Sequence, residues 1–234
     1  MTTLILLRHG RSSANAAGVL AGRTPGVELD ETGRAQAARV VDRLAGVPLS
    51  AVVSSPALRC EQTVAPLLAD RGLTVVTEPG LAEVDYGSWT GRELKTLAKE
   101  PMWKTVQTHP SAAVFPDGES MADMSARAVG TIRRWDAKVE AEHGPDAVWM
   151  AVSHGDVIKA ILADALGIHL DAFQRIVVDP ASLSVVRYTP LRPFVVTMNT
   201  AAGDLSHLRP PPRRRRARKV SSDAAVGGGS GSTP

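Results

Sequence analysis

The sequence predicts an α/β protein with a largely parallel sheet covered by helices on both faces. Two observations carry this. Short, wholly apolar or β-branched runs recur at residues 3–7, 51–53, 74–76 and 148–152, the signature of buried central strands. Helical patterns lie between them, notably over residues 31–44, 56–71 and 155–166. Strands that alternate with helices require crossover connections, and these give parallel pairing.

The elements follow in order. Asp30 or Thr32 could cap the helix over 31–44, and Pro56 suits the first turn of the next one. Residues 87–116, with Trp89, Pro101 and Trp103, are less regular. They are expected to form short helices over the strand ends, where open α/β sheets hold ligands. A longer helix should follow, over about 120–142. Residues 182–188 and 194–199 then look like two strands joined by Pro190-Leu191-Arg192-Pro193, an expected hairpin at the sheet edge. From Gly203 onward the chain turns Pro- and Arg-rich, then Gly/Ser-rich. A disordered tail over 204–234 is expected behind a domain of residues 1–203.

Composition narrows the function classes. The chain has 234 residues, of which 44% are hydrophobic and 22% charged, enough to bury a real core and too apolar to be disordered throughout. A single cysteine, Cys60, excludes an internal disulfide and a cysteine-rich zinc site. No run approaches the roughly 20 apolar residues of a membrane span, and the N-terminus lacks the pattern of a secretory signal. These features lead to the expectation of a soluble, cytoplasmic protein with no membrane partner. The net charge of +3 belongs to the tail, since residues 209–234 hold seven Arg or Lys against one acid. The body is therefore acidic. No aromatic residue interleaves with the basic run over 213–219, so a weak polyanion affinity is expected rather than specific nucleic-acid binding. The tail is expected to be dispensable for activity.

The chemistry gathers at strand ends. The first strand runs into Arg8-His9-Gly10, which places a guanidinium fork beside an imidazole at the carboxyl edge of the sheet. Arginine neutralises phosphoryl oxygens bidentately, and a ring nitrogen can attack phosphorus. The second strand ends in Ser54-Ser55-Pro56, with Arg59 in the first turn of the following helix, able to turn back toward the strand tips. The fourth ends in Ser153-His154-Gly155, repeating the strand–His–Gly–helix arrangement. Each fragment alone has an ordinary structural explanation; two such histidines with Arg8 and Arg59 do not. A leaving alkoxide also needs a proton, and Glu83 and Asp85 both follow the third strand. Burial would raise the pKa of Glu83 and keep it protonated, while Asp85 could instead orient the loop. Cys60 has nothing beside it that would activate a thiolate.

Together, Arg8-His9-Gly10 with Asn15, Ser54-Ser55-Pro56 with Arg59, Glu83 before Tyr86-Gly87, and Ser153-His154-Gly155 resemble the histidine phosphatase superfamily, in its phosphoglycerate mutase-like branch. Leu29 with Gly33 and Gln36, and Gly118-Glu119-Ser120 with Arg127, add weaker matches, so the resemblance runs from about residue 3 to 199. It implies a three-layer α/β/α sandwich and a phosphohistidine intermediate. His9 would attack the phosphoryl group and Glu83 would protonate the departing oxygen. Arg8, Arg59 and a cationic His154 would stabilise the transferring group, without metal or organic cofactor. Asn15, Gly22, Arg23 and Gly155 join Arg8, Arg59 and His154 as expected substrate contacts.

Two positions depart from the family pattern: Arg11 stands where an acid or amide is usual, and Asp156 where a small residue is common. Arg11 could attract a doubly charged substrate or lie in solvent; Asp156 could serve its helix N-terminus or turn His154. Mutases of the family carry an aromatic segment soon after the first motif and a longer stretch between the Glu83 and His154 segments; this chain has neither. A phosphomonoester hydrolase for small phosphorylated metabolites is the favoured reading. A phosphoglycerate mutase-type phosphomutase and a non-catalytic phosphate-binding protein are the alternatives. The lid over residues 18–27 and 89–116 would set specificity, with Arg23, Trp89 and Trp103 as its candidates and core packing the favoured role for each tryptophan. A homodimer could form through an exposed edge strand near residues 182–188.

Overall fold

The computed structural model describes residues 1–201 and Gly227. Six strands form one sheet: β1 (Thr3–Arg8), β2 (Ala51–Ser54), β3 (Val76–Thr77), β4 (Val148–Ser153), β5 (Leu183–Tyr188) and β6 (Pro193–Thr200). Their order is β3-β2-β4-β1-β5-β6. β1, β2, β3 and β4 run parallel, and β5 and β6 join antiparallel beyond β1.

The two-residue period of a strand explains the layers. Along β1, Leu4 and Leu6 enter one buried cluster, while Ile5 and Leu7 enter the other. β4 divides in the same way: Trp149 and Ala151 on one face, Met150 and Val152 on the other. The second face is covered by α2 (Glu31–Arg43) and α3 (Leu58–Arg71) through Val40, Val64 and Leu67. The first is covered by α6 (Met121–His143) and α7 (Gly155–Leu166) through Met124, Ile132, Val157 and Ile161. The result is the three-layer α/β/α sandwich that the resemblance implied.

Local chemistry sets most boundaries. Asp30, not Thr32, caps α2, its carboxylate accepting from the Gly33 amide at 2.7 Å. Ser120 caps α6 through the Asp123 amide. Pro56 lies before α3 rather than in its first turn, because Ala57 at the cap keeps an extended backbone. The third strand is shorter than its apolar run predicts. β3 holds two exposed residues on the sheet edge, paired with β2 alone, before the chain turns at Pro79. The edge expected near residues 182–188 is also misplaced. β5 pairs with β1 on one side and β6 on the other, so its ladder is full and the free edge on that side of the sheet belongs to β6.

Short elements cross above the strand ends: α1 (Ser13–Ala17), α4 (Leu94–Leu97), α5 (Pro101–Thr108) and 3₁₀ turns at Gly87–Trp89 and Pro110–Ala112. Trp89 is buried there and stacks on Trp103 at 6.2 Å between ring centroids, so both act in packing. No helix among the described residues is long and apolar enough to cross a membrane. Apart from Gly227, the predicted tail lies outside the described residues.

Candidate active site

Strand register assembles the site. β1 and β4 run parallel with Arg8 opposite Ser153, so His9 and His154 emerge side by side at the carboxyl edge of the sheet. The His9 amide donates to the Ser153 carbonyl, and the two rings meet edge-on at 5.2 Å. β2 ends alongside β4 and delivers Ser55 to the same place, where its Oγ lies 2.7 Å from Nε2 of His154. Arg59, in the first turn of α3, reaches back to donate to Nδ1 of His154 at 3.0 Å and to the Gly22 carbonyl at 2.8 Å. Arg8 is fully buried and donates to the Val178 carbonyl at 2.7 Å.

Glycine at residue 10 has a steric reason. A Cβ there would lie 2.8 Å from the Gly33 carbonyl, and one at Gly33 would lie 2.0 Å from the Arg11 carbonyl. The segment after β1 thus packs backbone to backbone against the start of α2. The Gly10 amide donates to Thr63 Oγ1, whose hydroxyl donates to the Arg59 carbonyl, tying the first motif to the second.

The protonation states follow from these partners. Nδ1 of His9 lies 2.7 Å from the Gly10 carbonyl, which can only accept, so Nδ1 carries the proton and Nε2 the lone pair. Burial, then the charges of Arg59 and Arg8, holds the ring well below the usual imidazole pKa. His9 is therefore a neutral imidazole. His154 differs from the cation the resemblance implied. Arg59 can only donate, so Nδ1 of His154 accepts, and burial with Arg59, His9 and Arg8 lowers its pKa well below the usual value. In this structure His154 is neutral.

Glu83 and Asp85 separate cleanly. Glu83 is buried, with one carboxyl oxygen 3.9 Å from Nδ1 of His154 and the other accepting from the Val84 amide. Burial, reinforced by the like charge of Asp156, pushes its pKa up to about 7. Asp85 is partly exposed and accepts from the Gly87 amide, an orienting role in the loop. Cys60 is buried and its thiol is pushed up to about 12, so it is an inert packing group.

The structure draws Arg8, His9, Arg59, Glu83 and His154 together, with Gly22 on Arg59 and Gly155 opening α7. Arg23 and Asn15 have protein partners of their own. Arg23 donates to the Glu83 main-chain carbonyl at 2.8 Å and pairs with Glu119 at 3.0 Å, and so supports the loop that carries Glu83. Asn15 closes a capping box with Ser12. Arg11 answers the alternative left open for it: it is half-buried and pairs with Asp30 at 2.6 Å and Thr32 at 2.9 Å, binding the first motif to the α2 cap.

Sequence reasoning gave no role to Arg127, which donates to the carbonyls of Gly80 and Glu83 and pairs with Glu119. Nor did it find the contact between Tyr86 Oη and Asp156 Oδ2 at 2.9 Å. Asp156 is fully buried and also faces Lys159 at 3.4 Å. No spacing rule joins residues 70 positions apart.

A neutral imidazole, two guanidiniums and a protonatable carboxyl thus meet at one sheet edge. The description of the histidine phosphatase superfamily (branch 1) matches residues 4–201, and the chain belongs to that superfamily. It is 32% identical over 216 residues to the "Probable phosphoglycerate mutase GpmB" of Yersinia pestis, covering 90% of this chain and 97% of the relative. Among solved structures, it is similar to the α-ribazole phosphatase of Shigella flexneri, with a TM-score of 0.74 and 26% identity over 85% of this chain and 96% of that one. It is also similar to a mycobacterial glucosyl-3-phosphoglycerate phosphatase in complex with VO3, with a TM-score of 0.76 and 25% identity over 85% of this chain and 99% of that one.

Proposed function

We propose that this chain is a phosphomonoester hydrolase that acts on small phosphorylated metabolites through a phosphohistidine intermediate. The observation that carries the reading is His9: a neutral ring whose Nδ1 is committed to the Gly10 carbonyl, leaving the Nε2 lone pair as nucleophile beside Arg8 and Arg59. The phosphatase names of two similar structures agree with it.

In the first step the Nε2 lone pair forms the N–P bond as the ester P–O bond breaks. Glu83, protonated near neutrality, gives its proton to the leaving oxygen. Arg8 and Arg59 neutralise the equatorial oxygens, and neutral His154, its Nε2–H turned to Ser55, holds Arg59 in place through Nδ1. In the second step water attacks phosphorus, Glu83 takes one of its protons, and the N–P bond breaks to return the lone pair to Nε2. Inorganic phosphate leaves and Glu83 is protonated again. Guanidinium charge supplies the stabilisation that this scheme needs, so it invokes no metal.

The experiment is phosphate release from a panel of phosphomonoesters, including p-nitrophenyl phosphate and 3-phosphoglycerate, with chelator present and with His9→Ala in parallel. Release by wild type that vanishes in the variant supports the hydrolase. A phosphomutase is the second reading, favoured by the name of the Yersinia pestis relative. Interconversion of 2- and 3-phosphoglycerate without net phosphate release would establish it instead.

A further inference from the structure

Four donors converge on the carboxylate of Glu119. Its Oε1 accepts from Nη2 of Arg23 at 3.0 Å, from Nη2 of Arg127 at 2.6 Å and from the Asp85 amide at 2.8 Å. Its Oε2 accepts from Nε of Arg127 at 3.0 Å, so that pair is a two-bond fork, which fixes direction as well as distance. Both arginines also donate to one main-chain atom, the Glu83 carbonyl, Arg23 at 2.8 Å and Arg127 at 3.1 Å. Arg127 takes the Gly80 carbonyl too, at 3.0 Å, and so spans the turn that leads into Glu83.

The packing around this cluster leaves no slack. The Glu119 amide donates to the Asp85 carbonyl at 2.9 Å, so Glu119 holds both the amide and the carbonyl of Asp85. A Cβ at Gly118 would lie 2.3 Å from the Asp85 carbonyl, and one at Gly87 would lie 1.9 Å from the Pro116 carbonyl. The Glu119 and Arg127 side chains are 16% and 24% exposed, so salt screens their bonds little. Three segments meet here: the Glu83 loop, α6 through Arg127, and the loop of Arg23, whose neighbour Gly22 is held by Arg59. They grip Glu83 by its main chain, while its carboxyl faces the Val84 amide and His154.

We propose that Glu119 is a positioning residue for Glu83: by gathering Arg23 and Arg127 onto the Glu83 carbonyl, it fixes where the general acid stands over the leaving oxygen. The proposal rests on the reading of Glu83 as that acid. A proton donor works only within hydrogen-bond reach of the departing oxygen, and a displacement of about 1 Å can cost 10²-fold. The same contacts make the Gly22-Arg23 loop and the Glu83 loop one unit, so the group that meets Arg59 and the group that meets the acid move together.

The test compares wild type with Glu119→Gln, which keeps the shape and removes the charge, and Glu119→Asp, which keeps the charge and shortens the reach. On the fastest alkyl phosphate of the panel, kcat/KM should fall about tenfold or more in both variants. On p-nitrophenyl phosphate, whose leaving group departs without a proton, it should fall less than about threefold. Inorganic phosphate affinity by calorimetry should stay within about twofold, because Arg8 and Arg59 are untouched. Glu83 itself is read by the carbon chemical shift of its carboxyl. That carboxyl is faced by Arg8 on β1, Arg59 on α3, Asp156 on α7 and His154 after β4, and Glu119 by Arg23, Arg127 and the Asp85 amide. A loosened loop admits water and weakens the burial that raises Glu83, so its pKa should fall from about 7 toward 4.5, and the alkaline limb with it.

Equal losses on both esters with an unmoved Glu83 titration would overturn the proposal. So would a Glu119→Asp protein that behaves as wild type, since charge and not reach would then be the cause. If neither variant folds, Arg127→Lys decides by the same readouts, because an ammonium cannot hold Glu119 and two carbonyls in one plane. If no protein releases phosphate from any ester, the hydrolase reading fails and the Glu83 titration alone judges the positioning.

Discussion

Arg59 donates to Nδ1 of His154 at 3.0 Å, and that one bond fixes which nitrogen of His154 carries the proton. The Nε2–H is thereby turned to Ser55 Oγ, 2.7 Å away. Arg59 also holds the Gly22 carbonyl, so one guanidinium positions the second histidine and the loop above it.

Arg59→Lys should therefore cost more than a conserved charge would suggest. An ammonium on a flexible stem does not hold both bonds in one plane. We expect kcat/KM on p-nitrophenyl phosphate to fall about 100-fold, the loss typical of one transition-state donor. Nitrogen chemical shifts of His154 should show a mixture of tautomers. A variant with wild-type kinetics and a single His154 tautomer would refute this.

The pH profile should report Glu83. Its raised pKa, about 7, means that the general acid is protonated below neutrality and lost above it, while His9 is neutral across the same range. In the free enzyme kcat/KM should fall on the alkaline side of about 7. Asp156→Asn removes the like charge that helps to raise Glu83, so its alkaline limb should move to lower pH. An unmoved limb would show that the limb belongs to another group.

Glu83→Gln tests activity against stability. Without the acid, kcat should fall by about 10² to 10⁴-fold. Stability should change in the opposite direction. A carboxyl whose folded pKa exceeds its unfolded value stabilises the fold below about pH 4.5, and this is lost as pH rises toward 7. At pH 8 the wild type must keep a charged carboxylate buried, and the variant does not. Thermal denaturation at pH 8 should show a higher Tm for Glu83→Gln, with the gap narrowing at pH 5. A lower Tm at pH 8 would mean that the carboxylate's bonds outweigh its burial.

Gly33→Ala should damage the site from a distance. Its Cβ would lie 2.0 Å from the Arg11 carbonyl, so the segment after His9 must shift. Overpacking of this kind costs about 1–3 kcal/mol. Urea denaturation should show that loss, and kcat should fall with it because the Gly10 carbonyl that orients His9 moves too. Unchanged stability would mean that the two backbones separate freely.

Much of this protein is legible in its sequence because the signals are local. Apolar runs bounded by helical periods gave β1, β2, β4 and the major helices, since strand and helix periods depend on near neighbours. Arg8, His9, Arg59 and His154 could be singled out because each directly follows or nearly follows a strand, and parallel strands bring their carboxyl ends together. The order of those motifs was enough for the family. The third strand was read too long because an apolar run does not say whether its place is central or at an edge, and the same gap put β5 at the edge instead of β6.

What only the tertiary structure decided involves charge, proton and long-range contact. The neutral state of His154 depends on the direction of Arg59 and on burial by elements far apart in the chain. The protein partners of Arg11 and Arg23 came only from the fold, because an arginine's reach outlasts any spacing rule: one meets the α2 cap, and the other reaches the loop of Glu83. Asp156, meeting Tyr86 and Gly227 across about 70 residues on either side, had no local pattern to reveal it. The sequence by itself determined the layers and which candidate residues sit at the strand ends, because backbone periodicity and strand-end motifs are properties of short segments. Protonation and support of the site were left to the folded chain, because electrostatic energy depends on distances that only packing sets.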